Sequence, residues 1–496
     1  MNHTTFRTWF LFLAAVFFIG VLSFCRNAKA GAPAVLDTGI TVNARMKALA
    51  SGTEQQYWTE TGDIKAVRMA EALPAGYVPS RENTVSAPGS GLPVYIFFDN
   101  ENDAGIIYFW TEADTITMNP DSGYLFAGNT ALTDLSGIAG WDCSVVSSLA
   151  CAFRNNKSLN DITPLSGWDT ESLSVMTMMF ADDPALTDLS ALAGWNTSRV
   201  TNMCGLFSGA RGLTDALALR NWDTSNVTDM STMFSRCTSM MFIDVSNWDT
   251  SSVTTMAGMF QVGDNWKGNG NLTEIIGLGK LDVSNVRDMT CMFYGAGQMI
   301  TYDVARWDVS KVESMNHMFC DNFRLRSLDL SAWDVSSVRT IYCMFDDNVK
   351  LKTIGDVSHW NTASLVDAGA WLNGASSLIG DNTGTLDLSG WDTHNLKTAG
   401  EMFFNNVKLR AIDLSGWTFD SITNEPWEGA GSGYYYETGN SAETTQGLGL
   451  MFSHTPQVMV VYISSEGLES FHAAEARGVN VLEMWEKSKA GGFTVK

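Results

Sequence analysis

From Leu325 to Phe345 the chain reads LRSLDLSAWDVSSVRTIYCMF, and its apolar positions change period half-way along. Leu325, Leu328, Leu330 and Trp333 follow the alternation of a strand, whereas Val338, Ile341 and Phe345 follow the spacing of a helix. The pattern predicts one strand and one short helix per unit. Such a unit cannot bury its apolar side alone, so copies must stack and complete one another's core.

Copies recur from about 106 to 465. They are anchored on Trp141, Trp168, Trp195, Trp222 and Trp248, then Leu281 in place of tryptophan, then Trp307, Trp333, Trp360, Trp391 and Trp417. Most steps are 26 or 27 residues, with longer ones of 33 and 31. Positions are numbered below by their distance after the anchor. Position 5 is apolar, position 8 is usually Met, and positions 11 and 12 read Met-Phe in most copies, as at Met233-Phe234 and Met318-Phe319. A stripe at 5, 8 and 12 falls on one helical face. Asp or Asn follows nearly every anchor, which predicts N-cap chemistry at the strand-to-helix corner.

The expected fold class is therefore α/β: a curved solenoid of about eleven turns, with a parallel sheet on the concave face and short helices on the outer face. Residues 1–30 read as a signal peptide, with Arg7 before the apolar run Trp9 to Phe24 and Ala28-Lys29-Ala30 as the cleavage pattern, cut after Ala30. Cys25 invites lipidation, but bulky Phe24 stands where that processing wants a small residue. The mature chain shows no transmembrane segment. Residues 31–105 form an N-terminal cap region. Within it Val42 to Ala50 and Ile64 to Leu73 read as weak helices, Pro74 to Gly91 as a connector, and Val94 to Phe98 with Ile106 to Trp110 as a hairpin. Residues 106–465 form the solenoid, and 466–496 a C-terminal cap and tail beginning with an amphipathic helix over Glu466 to Arg477.

Charge and cysteine content narrow the function. A net charge of −23 with 17% charged residues argues against nucleic acid. Seven cysteines remain after export, an odd number placed mostly in the apolar stripe, so buried free thiols are expected; a Cys320–Cys343 bridge between adjacent turns is the alternative. No HExxH, P-loop, G-x-S-x-G or strand-linked GxGxxG constellation is present, and no catalytic residue, metal site or cofactor is assigned.

The polar pattern with most content is a ladder of carboxylates four residues before the anchor: Asp244, Asp303, Asp329, Asp356, Asp387 and Asp413. Earlier units carry Asp134, Asp161, Asp188 and Asp215 seven before it. In register, such groups would repel by roughly 1 kcal/mol per neighbouring pair in water. Either they form a surface for cations or a basic partner, or each accepts hydrogen bonds from a neighbouring turn or nearby hydroxyls. Inserts at Gln261 to Lys280, Asn373 to Thr385 and Thr418 to Gly449 add rim loops; the third carries Trp427, Tyr434, Tyr435 and Tyr436, the aromatic content of a recognition loop. Gly263 to Asn271 has some features of a calcium loop, but Trp266 and Gly268 stand where oxygen ligands belong.

WDTSNVTDMSTMF (Trp222 to Phe234), LDLSAWDVSSV (Leu328 to Val338) and the lead-in YFWTEADTITMNPDSGYLF (Tyr108 to Phe126) resemble the BspA-like leucine-rich-repeat surface proteins of bacteria over roughly 100 to 465. The resemblance implies a leucine-rich-repeat-like, non-catalytic, secreted or cell-surface protein that adheres to host or microbial macromolecules. The expected partners are extracellular proteins or cell-surface macromolecules, with a weak calcium dependence. A self-associating surface-layer component is the second reading, and a secreted enzyme with a site near 418–449 the third. No wall-sorting motif is present, a departure from that family's surface retention.

Overall fold

The computed structural model describes residues 32–263, 270–424, 446–455, 460–481, 484, 485, 488 and 492–496. The expected signal segment 1–30, the loop residues Trp427 and Tyr434 to Tyr436, and most of the calcium-like loop lie outside the described residues.

The chain opens with β1 (Ala34–Leu36), α1 (Gly39–Ser51), β2 (Ala66–Met69), β3 (Ser86–Gly91), β4 (Tyr95–Asp99), β5 (Ile106–Trp110) and β6 (Ile116–Thr117). The hairpin forms, β4 antiparallel to β5. The second weak helix does not: Ala66–Met69 is a strand parallel to β5, because the exposed edge of the hairpin supplies backbone partners that a short polar helix lacks.

Stacked turns follow, and the stripe of every turn is buried as its spacing predicts. Val227, Met230, Met233 and Phe234 are fully buried, and the same holds turn after turn. The position-12 rings Phe153, Phe180, Phe207 and Phe234 stack along the solenoid with centroids 5.3, 5.9 and 5.8 Å apart. Trp168, Trp195, Trp222, Trp248, Trp307, Trp333, Trp360, Trp391 and Trp417 each donate Nε1–H to the carbonyl three residues before the preceding anchor, at 2.9–3.3 Å.

The stripe is not helical, contrary to expectation. At positions 8, 10, 12 and 14 the N–H bonds the next turn: Met203 to Asp229 O, Gly205 to Ser231 O, Phe207 to Met233 O and Gly209 to Ser235 O, at 2.7–3.0 Å. Positions 11 and 13 close i→i+3 turns within their own unit, as Leu206 N to Met203 O and Ser208 N to Gly205 O. Position 10 has positive φ in every turn from Cys151 to Glu401, and position 14 in most, at Asn155, Asp182, Gly209 and Gly295 among others. A left-handed residue every fourth place breaks a right-handed helix, so the segment is a chain of tight turns hydrogen-bonded to its neighbours. A parallel bridge ladder at position 7 runs from Ser148 through Val175, Asn202 and Asp229 to Thr398. The described α-helices, α1 and α2 (Ser465–Ala476), lie outside the repeats.

The strand half is regular only in the later turns. Before Trp141, Trp168, Trp195 and Trp222 the chain makes single 3-10 turns, Ser136–Ile138, Thr163–Leu165, Ser190–Leu192 and Leu217–Leu219. Strands appear as the parallel pair β7 (Phe242–Asp244) and β8 (Glu274–Ile276), and as the parallel sheet of β9 (Thr385–Asp387), β10 (Ala411–Asp413), β11 (Val460–Ile463) and β12 (Phe493–Val495).

The first turn shows how the stack is ended. In later turns the position-13 carbonyl accepts the N–H of the preceding position 14, as Ala181 O from Asn155 N. Ala127 holds that place in the lead-in, where no turn precedes it, and α1 delivers the substitute: Lys47 Nζ reaches the carbonyls of Ala127, Thr59 and Tyr57 at 2.7, 2.7 and 2.8 Å. Asn43 Nδ2 adds bonds to Ala127 O and Tyr124 O at 3.0 and 2.6 Å. Burial lowers the Lys47 ammonium to about 8, against an opposing pull from Glu60.

Candidate functional site: the aspartates before the anchors

Five of the six ladder aspartates, all but Asp303, accept the backbone N–H two residues on. Asp244 accepts from Ser246 N and Oγ at 3.0 and 2.6 Å, and Asp356 from Ser358 N and Oγ at 3.0 and 2.7 Å. Asp329 accepts from Ser331 N at 3.1 Å and Asp387 from Ser389 N at 2.9 Å. Asp134, Asp161, Asp188 and Asp215 follow the same rule with Ser136, Thr163, Ser190 and Leu217. The donors come from the same turn rather than from a neighbouring one. Hydrogen bonds from Ser246 and Ser358, side chain before backbone, hold Asp244 and Asp356 below the usual carboxylate range.

At Asp244, Asp329, Asp356 and Asp387 one oxygen makes these bonds, whereas Asp188 uses both, one for Ser190 N and the other for Ser190 Oγ. Asp329, Asp356 and Asp387 are exposed, and among the described residues their second oxygens accept no hydrogen bond. Asp303 is exposed and lies against Gly279, where a Cβ would stand 2.3 Å from the carboxylate. Asp413 differs: it is 4% exposed and bonded by Lys496 Nζ, so the chain itself occupies it. Burial pushes its carboxyl up, and the bonds from Lys496 and Ser415 outweigh that and bring it below its ordinary value.

The carboxylates do not form one continuous in-register row. Asp244 pairs with Ile276 across β7 and β8, Asp215 bridges Phe242, and Asp413 pairs with Tyr462. Asp387 and Asp413 are a true in-register carboxylate pair. Repulsion along the ladder is smaller than the repeat suggested, because sequence position four before the anchor shifts between turns.

The Asp or Asn after each anchor makes the same two-residue bond, as Asp223 to Ser225 N at 3.1 Å, and caps no helix. The following Thr bridges turns instead: Thr197 Oγ1 to Asp223 O at 2.9 Å and Thr224 Oγ1 to Asp249 O at 2.8 Å. The seven described cysteines are all free, including Cys320 and Cys343. Among the described residues no group of three His, Cys, Asp or Glu side chains is arranged to hold a metal ion.

A second polar cluster escaped the sequence reading. Tyr294 OH donates to Asp321 at 2.6 Å, and Asp346, Asp367 and Glu401 are buried in adjoining turns, with Asn373 Nδ2 on Glu401 at 3.1 Å. Burial raises Asp321 to about 6 and Asp367 to about 7, and raises Asp346 well above its ordinary value. The available signal lay at Asp346 and Glu401, the carboxylates of positions 13 and 10; Asp367 shares position 7 with Asp229 and Asp288, and Asp321 shares position 14 with Asp182 and Asp347.

A family model described as a Mycoplasma protein of unknown function, DUF285, matches at 100–188, 120–217, 184–275, 266–385 and 380–426, about two thirds of the chain. The chain belongs to the DUF285 family. Its overlapping matches cover the stacked turns from the hairpin to the Trp417 unit. Comparison with curated proteins finds no match to this DUF285 chain. Among solved structures it is similar to a leucine-rich repeat protein from Bacteroides ovatus, with 10% identity, TM-score 0.29, and 78% of this chain and 84% of that one covered. An internalin from Listeria monocytogenes follows, with 11% identity, TM-score 0.22, and 75% and 81% covered. The functional domain of InlJ from Listeria monocytogenes, described as including a cysteine ladder, has 14% identity, TM-score 0.18, and 71% and 62% covered.

Proposed function

We propose that this DUF285 chain is a secreted or surface-displayed, non-catalytic bacterial repeat protein that binds extracellular macromolecules through the face carrying the aspartates. The observation that carries the reading is the state of Asp329, Asp356 and Asp387. Each is exposed, fixed by its own turn through one oxygen, and left with a second oxygen for a partner. Fixed carboxylates lose little freedom on binding, which favours recognition over a passive solvated surface. The sequence's resemblance to BspA-like surface proteins and its export-type first 30 residues support the location. Trp427 and the tyrosines Tyr434 to Tyr436 belong to the same proposal as a rim contact.

The test is an array of extracellular proteins and glycans probed with residues 31–496, in calcium and then in chelator. A saturable hit weakened by Asp329→Asn with Asp387→Asn, with unchanged thermal unfolding, supports the reading. No hit in either condition overturns it. The self-association reading draws on Met241, Ile276 and Ile300, exposed on neighbouring turns; sedimentation showing concentration-dependent growth that Met241→Ser with Ile300→Ser abolishes would favour it instead.

A further inference from the structure

A second ladder of side chains runs along the turns after the anchors, at position 6. From Ser147 to Thr254 every residue there is Ser or Thr, and hydroxyls bond the turn before, as Ser174 Oγ to Ser147 O at 2.9 Å and Thr228 Oγ1 to Thr201 O at 3.1 Å. From the Leu281 turn on, the same column reads Arg287, Glu313, Arg339, Val366 and Lys397. Its backbone is an unbroken ladder: each N–H bonds the carbonyl of the preceding turn at 2.7–2.9 Å, as Val366 N to Arg339 O and Lys397 N to Val366 O. The adjoining position-7 residues form parallel bridges from Asp288 to Thr398, so successive turns stand one strand spacing apart. Cations therefore recur at every second turn, Arg287, Arg339 and Lys397, about 10 Å from one to the next.

Arg339 and Lys397 line a trough of about 670 Å³, with Val366 of the turn between them half-buried in it. Ser337 and Ser364, at position 4, line it too. Their hydroxyls donate to Ser310 O and Ser336 O, both at 2.6 Å, which fixes each oxygen and leaves its lone pairs for an incoming hydroxyl. Glu313 lies one turn before Arg339 and is paired with Arg287 at 2.7 Å. Lys397 is half-buried, and among the described residues its Nζ makes no hydrogen bond or ion pair. Along the trough the order is cation, apolar side chain beside hydroxyls, cation, in a chain of net charge −23. Such a column complements a polymer whose anionic and uncharged units alternate at the spacing of the turns. A pyranose ring in an extended polysaccharide advances by about the width of one strand, so a uronic acid at every second sugar falls into the register of Arg339 and Lys397. An extended acidic peptide does not, because its side chains repeat on one face every 7 Å or so, about two residue rises. The C–H face of the intervening sugar lies on Val366, and its hydroxyls donate to Ser337 and Ser364.

We propose that this trough binds an acidic polysaccharide in which every second sugar is a uronic acid, with successive carboxylates on Arg339 and Lys397 and the uncharged sugar between them over Val366. The trough shares no residue with the aspartate face, so the inference goes beyond the reading of that face and gives the chain a second binding surface of opposite charge.

The probe is a hyaluronan decasaccharide, end-labelled with a fluorophore and titrated by anisotropy against residues 31–496 at physiological salt, where a Debye length of about 8 Å screens the distant carboxylates. Saturable binding that Arg339→Gln with Lys397→Gln weakens about ten-fold or more, with thermal unfolding unchanged, supports the proposal. Val366→Glu sets a carboxylate between the cations and is expected to act in the same direction. A chitin oligosaccharide of equal length, uncharged throughout, is expected not to compete. Oligogalacturonate is charged on every sugar, and if it competes as well as hyaluronan the matched register is overturned and the trough is an unselective anion patch. Absence of hyaluronan binding, or binding indifferent to these variants, would overturn the site. Asp329→Asn with Asp387→Asn is expected to leave this affinity within about two-fold, so the macromolecule array and this titration decide the two surfaces separately.

Discussion

Asp387 and Asp413 stand opposite each other in register across the parallel strands β9 and β10, and Lys496 bonds the buried member, Asp413. Like charges directly opposite destabilise a sheet, and here an ammonium brought by β12 offsets the repulsion. Asp387 is left exposed on the surface.

Removing that ammonium strands a buried carboxylate. Lys496→Met is expected to destabilise the C-terminal turns, and only modestly because the Lys496 side chain is largely solvated. Adding Asp413→Asn should restore most of the loss. Hydrogen exchange of the β10 and β11 amides is the direct measurement, and a double variant as unstable as the single one would refute the pairing.

The tryptophan bonds give a second contrast. Trp222 Nε1 bonds Leu192 O at 3.0 Å, whereas the buried Trp141 Nε1 has no partner among the described residues. Trp222→Phe removes one of two hydrogen bonds to Leu192 O, which keeps the N–H of Trp195 at 3.1 Å, and should cost about 1 kcal/mol beyond the loss of ring volume. Trp141→Phe should cost only the volume. Denaturant midpoints that fall equally for both would show that the bond contributes nothing.

Period, anchors and buried stripe were legible because each unit repeats the same apolar positions, and Met230, Met233 and Phe234 are buried as read. The backbone was misread because spacing 5, 8 and 12 also fits consecutive tight turns. The discriminating signal was present: Gly205 and Gly258 hold position 10, and Gly209, Gly295 and Gly374 hold position 14, with Asn155, Asp182, Asn405 and Asp347 filling the latter elsewhere. These residues tolerate positive φ and are poor in helix interiors. At the site, the Asp-x-Ser spacing was visible. Its consequence, a same-turn bond, was displaced by the assumption that strands align at a fixed offset from the anchor, which the Asp215–Phe242 bridge breaks.

The turn chemistry itself can be tested at Thr232. This β-branched residue has φ +52° at position 10, between turns that carry Gly205 and Gly258 there. Left-handed backbone costs a branched residue about 1–2 kcal/mol, and glycine's greater unfolded-state freedom returns part of that. Thr232→Gly should therefore raise stability by about 0.5–1 kcal/mol, whereas a true helix at this site would be weakened by it. Thermal unfolding decides the sign.

Asp367 should make stability fall as pH rises. It is 3% exposed, accepts Gly369 N–H at 2.8 Å, and burial raises it to about 7 from an ordinary 3.8. The folded chain then holds a proton that the unfolded chain releases, so the stabilisation is full below about 4 and lost as pH climbs through 7. Asp321, raised to about 6, and Asp346, raised well above its ordinary value, act in the same direction. Cys320, Cys343, Tyr294, Tyr342, Asp347 and Glu401 surround the group and bring no positive charge. Asp367→Asn keeps the acceptor for Gly369 without the titration. It should match the parent near pH 4 and exceed it at pH 8 by roughly a few kcal/mol. A variant whose unfolding free energy tracks the parent across that range would mean that Asp367 is ionised in the folded chain.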